Sequence, residues 1–162
     1  MVLLRRLRVE LYAGDRHDLR PLFELAEDSR EQLDSYLNAG RVLVATVPGL
    51  GIAGHLQVVD VDHGRTFELK NMAVREDLRG SGVGRRLVES VLELLSDESA
   101  ESLLVATAAA DTGNLRFYQR LGFRMRSIER DAFTAATGYP VPILVDGIPL
   151  RDRVWLDRAI GS

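Results

Sequence analysis

From Leu3 to Ala13 apolar and polar residues alternate, LLRRLRVELYA, the two-residue period of a strand with one buried face. DLRPLFELAEDS follows with helical spacing, and Asp15 or Asp18 can cap it. After a more polar helical segment, REQLDSYLNAG, comes the β-rich run RVLVATV, closed by Pro48-Gly49, a pair that favours a type II turn. IAGHLQVVDV is the return strand, DHGR a further turn and TFELKNMAV a third strand, so residues 41–75 predict an antiparallel meander. The period then changes. SGVGRRLVESVLELL predicts a helix in which Leu87, Val88, Val91, Leu92, Leu94 and Leu95 form one broad buried face, with Arg85, Arg86, Glu89 and Glu93 elsewhere. The apolar strand SLLVATAA, the short helix GNLRFYQRLG and the strand FRMRSIER form a βαβ unit, whose two strands are parallel neighbours or near neighbours. A proline-bearing connection, a hairpin at Asp146-Gly147 and a last strand in DRVWLDRA complete the chain. The pattern predicts an α+β fold in one domain, residues 1–162. Its central mixed, mostly antiparallel sheet has about six or seven strands, flanked by about four helices.

Composition narrows the classes. The 162 residues are 46% hydrophobic and 28% charged, without low-complexity tracts or repeats, as expected of a globular chain. A formal charge of −3 argues against nonspecific nucleic-acid binding. The absence of cysteine removes disulfides, thiolate nucleophiles and zinc–cysteine sites together. His17, His55 and His63 lack metal-ligand spacing, so no metal is expected. No stretch is long and apolar enough for a signal peptide or membrane span, and the expectation is a cytoplasmic protein acting away from membranes.

One stretch carries chemistry. RGSGVGRRLV sets Gly80, Gly82 and Gly84 at the mouth of an amphipathic helix. The first turn of a helix leaves backbone N–H groups without intrahelical partners, and the dipole adds roughly half a positive charge there. Glycines let an anionic oxygen approach the main chain, and Arg79 and Arg85 add formal charge, so a phosphate or pyrophosphate suits the site. The spacing excludes two phosphate-binding devices. G-x-G-x-x-G fails because Arg85 and Leu87 stand where the third glycine is needed, and no Gly-Lys-Ser/Thr follows for a P-loop.

MAVREDLRGSGVGRRLV resembles the signature of the GCN5-related N-acetyltransferases (GNAT), whose R/Q-x-x-G-x-G/A loop is here Arg79, Gly80, Ser81, Gly82, Val83 and Gly84. FYQRLGFR resembles the family's second motif, a tyrosine before a Gly-Phe pair, and the order of elements agrees along nearly the whole chain. The resemblance implies acetyl-CoA as co-substrate, its pyrophosphate on the main chain of residues 79–84, and its pantetheine arm between NMAV and LLVATA, pairing with backbone at Met72, Ala73 and Val74. Many members carry an asparagine seven residues before the tyrosine. That place is Asp111 here, and Asn114, four before, is carried over as the pantetheine contact, with capping of the short helix open to either.

Acetyl transfer to an amine needs that amine neutral, an oxyanion held and the departing thiolate protonated. A lysine-like amine resists the first requirement by roughly 4 to 5 kcal/mol at pH 7. Glu68 is the candidate base, acting directly or through a water, because it lies eleven residues before Arg79, where the histone-acetylating branch of the family carries its glutamate. A solvated strand glutamate, or one paired with Lys70 or Arg65, is the alternative. Tyr118 is the candidate acid: an ordinary tyrosine keeps its proton at neutral pH, and the family tyrosine stands at this place before Gly122-Phe123. A packed aromatic is its alternative. A main-chain N–H near Met72 or Ala73 would hold the oxyanion.

The expectation is therefore an N-acetyltransferase moving acetyl directly from acetyl-CoA to a primary amine of a small molecule or peptide, with no nucleic-acid partner. A non-catalytic acyl-CoA-binding sensor is the alternative, and a homodimer stays open. The acceptor should approach from residues 28–38 and the connection 131–150. Asp28, Glu31 and Asp34 are either a cation-attracting group or a solvated helix face, and Tyr139 and Trp155 either line a pocket or pack.

Overall fold

The computed structural model describes residues 5–161. Strand β1 (Arg8–Leu11) is shorter than its alternation suggests: residues 5 and 6 are helical, and residues 3 and 4 of that stretch lie outside the described residues. Asp15 caps a 3-10 turn (Arg16–Leu19) by accepting from the His17 amide, and this turn runs into α1 (Arg20–Leu25), with Pro21 in its first turn. Ser29 caps α2 (Arg30–Tyr36) through the Gln32 amide at 3.1 Å.

The meander follows as β2 (Arg41–Val47), β3 (Gly51–Asp62) and β4 (Thr66–Val74), all antiparallel. The Pro48-Gly49 turn is closed by the Leu50 amide on the Val47 carbonyl at 2.9 Å. Helix α3 (Val83–Asp97) crosses to β5 (Ser102–Ala108), which lies parallel to β4, and α4 (Thr112–Arg120) leads to β6 (Arg124–Glu129). A two-stranded hairpin, β7 (Leu144–Val145) and β8 (Ile148–Pro149), turns at Asp146-Gly147. Strand β9 (Arg153–Ala159) then enters between β5 and β6, antiparallel to both, so the two strands of the βαβ unit are near neighbours. The seven-stranded order is β1-β2-β3-β4-β5-β9-β6, mostly antiparallel, with four α-helices among the described residues.

Two apolar clusters cover the two faces of the sheet. On one face Leu87, Val88, Val91 and Leu95 of α3, each fully buried, pack with Leu56, Leu103, Leu156 and Phe123; Leu92 and Leu94 flank that seam half-buried. On the other, Phe23, Leu33, Tyr36 and Leu37 from α1, α2 and the residue after α2 cover Val42 and Val44. The second face also buries polar groups: His55, Gln57 and Asn71 are at most 3% exposed. Gln57 donates to the carbonyls of Tyr36 and Ala39 at 2.7 and 2.9 Å and so ties the end of α2 to the sheet.

Candidate active site

Strands β4 and β5 separate. Their parallel pairing runs from Thr66–Ser102 to Leu69–Val105 and stops, although β4 continues to Val74 and β5 to Ala108. The cause is on β4: Lys70 is an extra residue between the Gln57–Asn71 and Val58–Leu69 pairs, a bulge that bends the strand. Met72, Ala73 and Val74 therefore pair with β3 along one edge and face the gap along the other. The gap opens a cleft of about 1020 Å³.

The glycine loop forms one end of this cleft. Arg75 anchors its entry, donating to the Leu50 carbonyl at 2.8 Å and pairing with Asp77 at 2.9 Å. Gly80 (φ 77°) and Gly82 (φ 92°) occupy the left-handed region, which side chains resist. Gly82 is the N-cap of α3 and offers no side chain; the first intrahelical bond is Arg86 N–H to its carbonyl, so the amides of Val83, Gly84 and Arg85 have no intrahelical acceptor. A side chain on Gly84 would meet Phe117 Cζ at 3.4 Å. Ser81 turns its hydroxyl back to the Leu78 carbonyl and supports the loop from within. Arg79 is exposed at the cleft rim, whereas Arg85, also at the rim, pairs with Glu89 at 2.8 Å.

Tyr118 stands on α4 against the cleft, 5% exposed, its ring edge-on to Phe117 and Phe123 at 5.1 and 5.4 Å. Its hydroxyl has no hydrogen-bond partner among the described residues, and burial, with a smaller contribution from the Asp111 carboxylate, pushes its pKa above the tyrosine range. The proton stays on.

A family model described as Acetyltransferase (GNAT) family matches residues 9–123. The chain belongs to the GNAT family. It is an acetyl-CoA-dependent N-acetyltransferase. The uncharacterized N-acetyltransferase YvbK of Bacillus subtilis is 32% identical over 156 residues, which cover 95% of this chain and 98% of that one. Among solved structures, a Bacillus subtilis acetyltransferase in complex with CoA superposes with a TM-score of 0.85 at 31% identity, over 96% of this chain and 99% of that chain. A GNAT acetyltransferase from Elizabethkingia anophelis with acetyl-CoA bound gives 0.84 at 29% identity, over 96% and 99%.

The remaining predicted residues of this GNAT enzyme divide. Asp111 is the N-cap of α4, accepting from the Asn114 amide at 3.0 Å, and the Asn114 side chain reaches Thr107 Oγ on β5 at 3.4 Å, within the cleft lining. Glu68 lines the cleft, its side chain 15% exposed, with Lys70 Nζ at 3.8 Å; Arg65 pairs with Glu101 instead. Of the three acidic residues, Asp28 lines the cleft, whereas Glu31 and Asp34 do not, Asp34 being paired with Arg20 at 2.8 Å on the exposed surface of α2. Burial and the neighbouring Glu27 carboxylate raise the Asp28 pKa. Tyr139 and Trp155 both line the cleft, together with Phe133. Reading the chain alone misses Glu27, Tyr36 and Asn71. Only Asn71 leaves a sequence signal, a polar residue on the apolar phase of the strand with Phe67, Leu69 and Ala73.

No helix of the described residues is long and apolar enough to cross a membrane, and no group of three or more potential metal-ligating side chains occurs among them.

Proposed function

We propose that the enzyme transfers acetyl directly from acetyl-CoA to a primary amine of a small molecule or peptide, with Glu68 as base and Tyr118 as acid. One observation carries the reading: the unpartnered Tyr118 hydroxyl and the cleft edge of Met72–Val74 line the same opening as the bare first turn of α3. The residues present fit acetyl-CoA. Two left-handed glycines and three free amides suit a pyrophosphate, with Arg79 adding charge from the rim. Arg85 contributes less, being engaged by Glu89. The open edge of β4 at Met72, Ala73 and Val74 suits the amides of a pantetheine arm, and Asn114 faces that arm from α4.

Acetyl-CoA supplies an activated thioester whose thiolate leaves. Glu68 takes the amine proton, with Lys70 Nζ 3.8 Å from its carboxylate. An amide on the open edge at Met72 or Ala73 stabilises the oxyanion. Tyr118 gives its proton to the departing sulfur; the absence of a competing protein acceptor leaves that proton available. A cytoplasmic setting belongs to the same proposal. Thiol release from acetyl-CoA against a panel of amines and peptides tests the reading: amine-dependent release is expected, and CoA binding without release for any acceptor would favour a sensor.

A further inference from the structure

At the end of the cleft away from the glycine loop, one carboxylate is built into a frame of neutral donors. Glu27 Oε1 accepts from the Tyr36 hydroxyl at 3.0 Å, and Oε2 accepts from the Tyr139 hydroxyl at 2.6 Å and the Ser29 amide at 3.2 Å. The frame begins in the core. Asn71 donates to the Phe23 carbonyl at 3.2 Å and to the Tyr36 oxygen at 3.0 Å, so its own oxygen faces His55 Nε2 at 2.8 Å. His55 is fully buried and stays neutral, its pKa lowered to about 4 by burial, and because its Nε2 faces the Asn71 oxygen, an acceptor, the ring proton sits on Nε2. His55 Nε2–H, one amide N–H of Asn71 and the Tyr36 hydroxyl donate in turn toward Glu27, the other Asn71 N–H being taken by the Phe23 carbonyl.

Hydroxyl donors set Glu27 apart from the other cleft carboxylates. Glu68 has Lys70 at 3.8 Å, while Glu27, Asp28 and Asp111 have no ion-pair partner among the described residues, and of these three only Glu27 is held by two tyrosine hydroxyls. Neutral hydroxyls and an amide orient a carboxylate without cancelling its charge. Beside it stand Tyr36 and Tyr139, with Phe133 edge-on to Tyr139 at 5.0 Å; such faces attract a cation, as Tyr36 attracts Lys70 and Phe133 attracts Arg153, each 4.9 Å from the ring centroid.

We infer that Glu27 receives a second positive charge on the acceptor, an ammonium or guanidinium separate from the nitrogen that is acetylated. The two nitrogens have incompatible requirements: the attacking one must lose its proton, while one paired with Glu27 in an aromatic enclosure keeps its charge. Tyr36 separates the two places, touching Glu27 through its hydroxyl and the Lys70–Glu68 pair through its ring. The acceptor class is thus a diamine, polyamine or basic amino compound. This inference rests on the acetyl-transfer reading above.

The test compares 1,6-diaminohexane with n-hexylamine as acceptors for acetyl-CoA, and as ligands of the CoA-bound protein by calorimetry. The wild type should favour the diamine at least tenfold in kcat/KM, through KM. Glu27→Gln should bring the two amines level in both turnover and binding. A wild-type ratio near one overturns the inference whether or not the variant folds, as does a diamine preference that survives in folded Glu27→Gln. If no amine gives thiol release, acetyl transfer to amines fails, and the calorimetric comparison still decides the role of Glu27.

Discussion

Phe23 and His55 stack face to face, ring centroids 4.1 Å apart and planes 23° from parallel, sealing the imidazole between α1 and β3. Burial lowers the His55 pKa to about 4, against an unfolded value near 6.5. As pH falls between these values the unfolded chain takes a proton that the folded chain refuses, so stability drops with acid, by about 3 kcal/mol at pH 4. Urea unfolding at pH 7 and pH 4.5 measures this. His55→Gln keeps a donor for Asn71 without the titration and should give a flatter profile; parallel profiles would sink the assignment.

Tyr118→Phe preserves the ring between Phe117 and Phe123 and removes only a hydroxyl that bonds to no described residue. The melting temperature should hold, and kcat should fall roughly a hundredfold or more if the hydroxyl protonates the leaving thiolate. Unchanged kcat would mean that the thiolate finds its proton elsewhere.

Gly82→Ala places a side chain at φ 92°, on the residue that opens α3. The strain costs about 1 kcal/mol in the free protein. The larger effect should be on CoA, whose calorimetric Kd rises because the loop can no longer present its amides. A variant that binds CoA as the wild type does would remove the loop's assigned role.

Leu87→Ala empties a fully buried position on α3 opposite the sheet. The expected loss is about 2 to 5 kcal/mol in denaturant unfolding. A loss under about 1 kcal/mol would mean that the seam collapses around the void.

The helix face from Leu87 to Leu95 and the meander from Arg41 to Val74 are legible in the chain because both rest on local periodicity. The glycine loop is legible because its chemistry is local too. What the chain hides is long-range. Glu27 meets Tyr36 across nine positions and Tyr139 across 112, and nothing in their neighbourhoods announces the meeting. Lys70 reads as an ordinary exposed strand residue, yet as the bulge it turns Asn71 toward Tyr36 and opens the gap between β4 and β5. The pairing of Asp34 with Arg20 is likewise decided by how α1 and α2 pack.

Strand β9 joins β5 to β6, and both of those strands leave the ribosome before it. Until it arrives, β5 lacks the neighbour it pairs with from Ser102 to Ala108, and β6 has no partner at all within the described sheet. Trp155, which lines the cleft, arrives on the same strand. The glycine loop and the helix it opens can form while synthesis continues, but the Trp155 side of the cleft cannot, so the complete cleft is acquired in one late step of assembly.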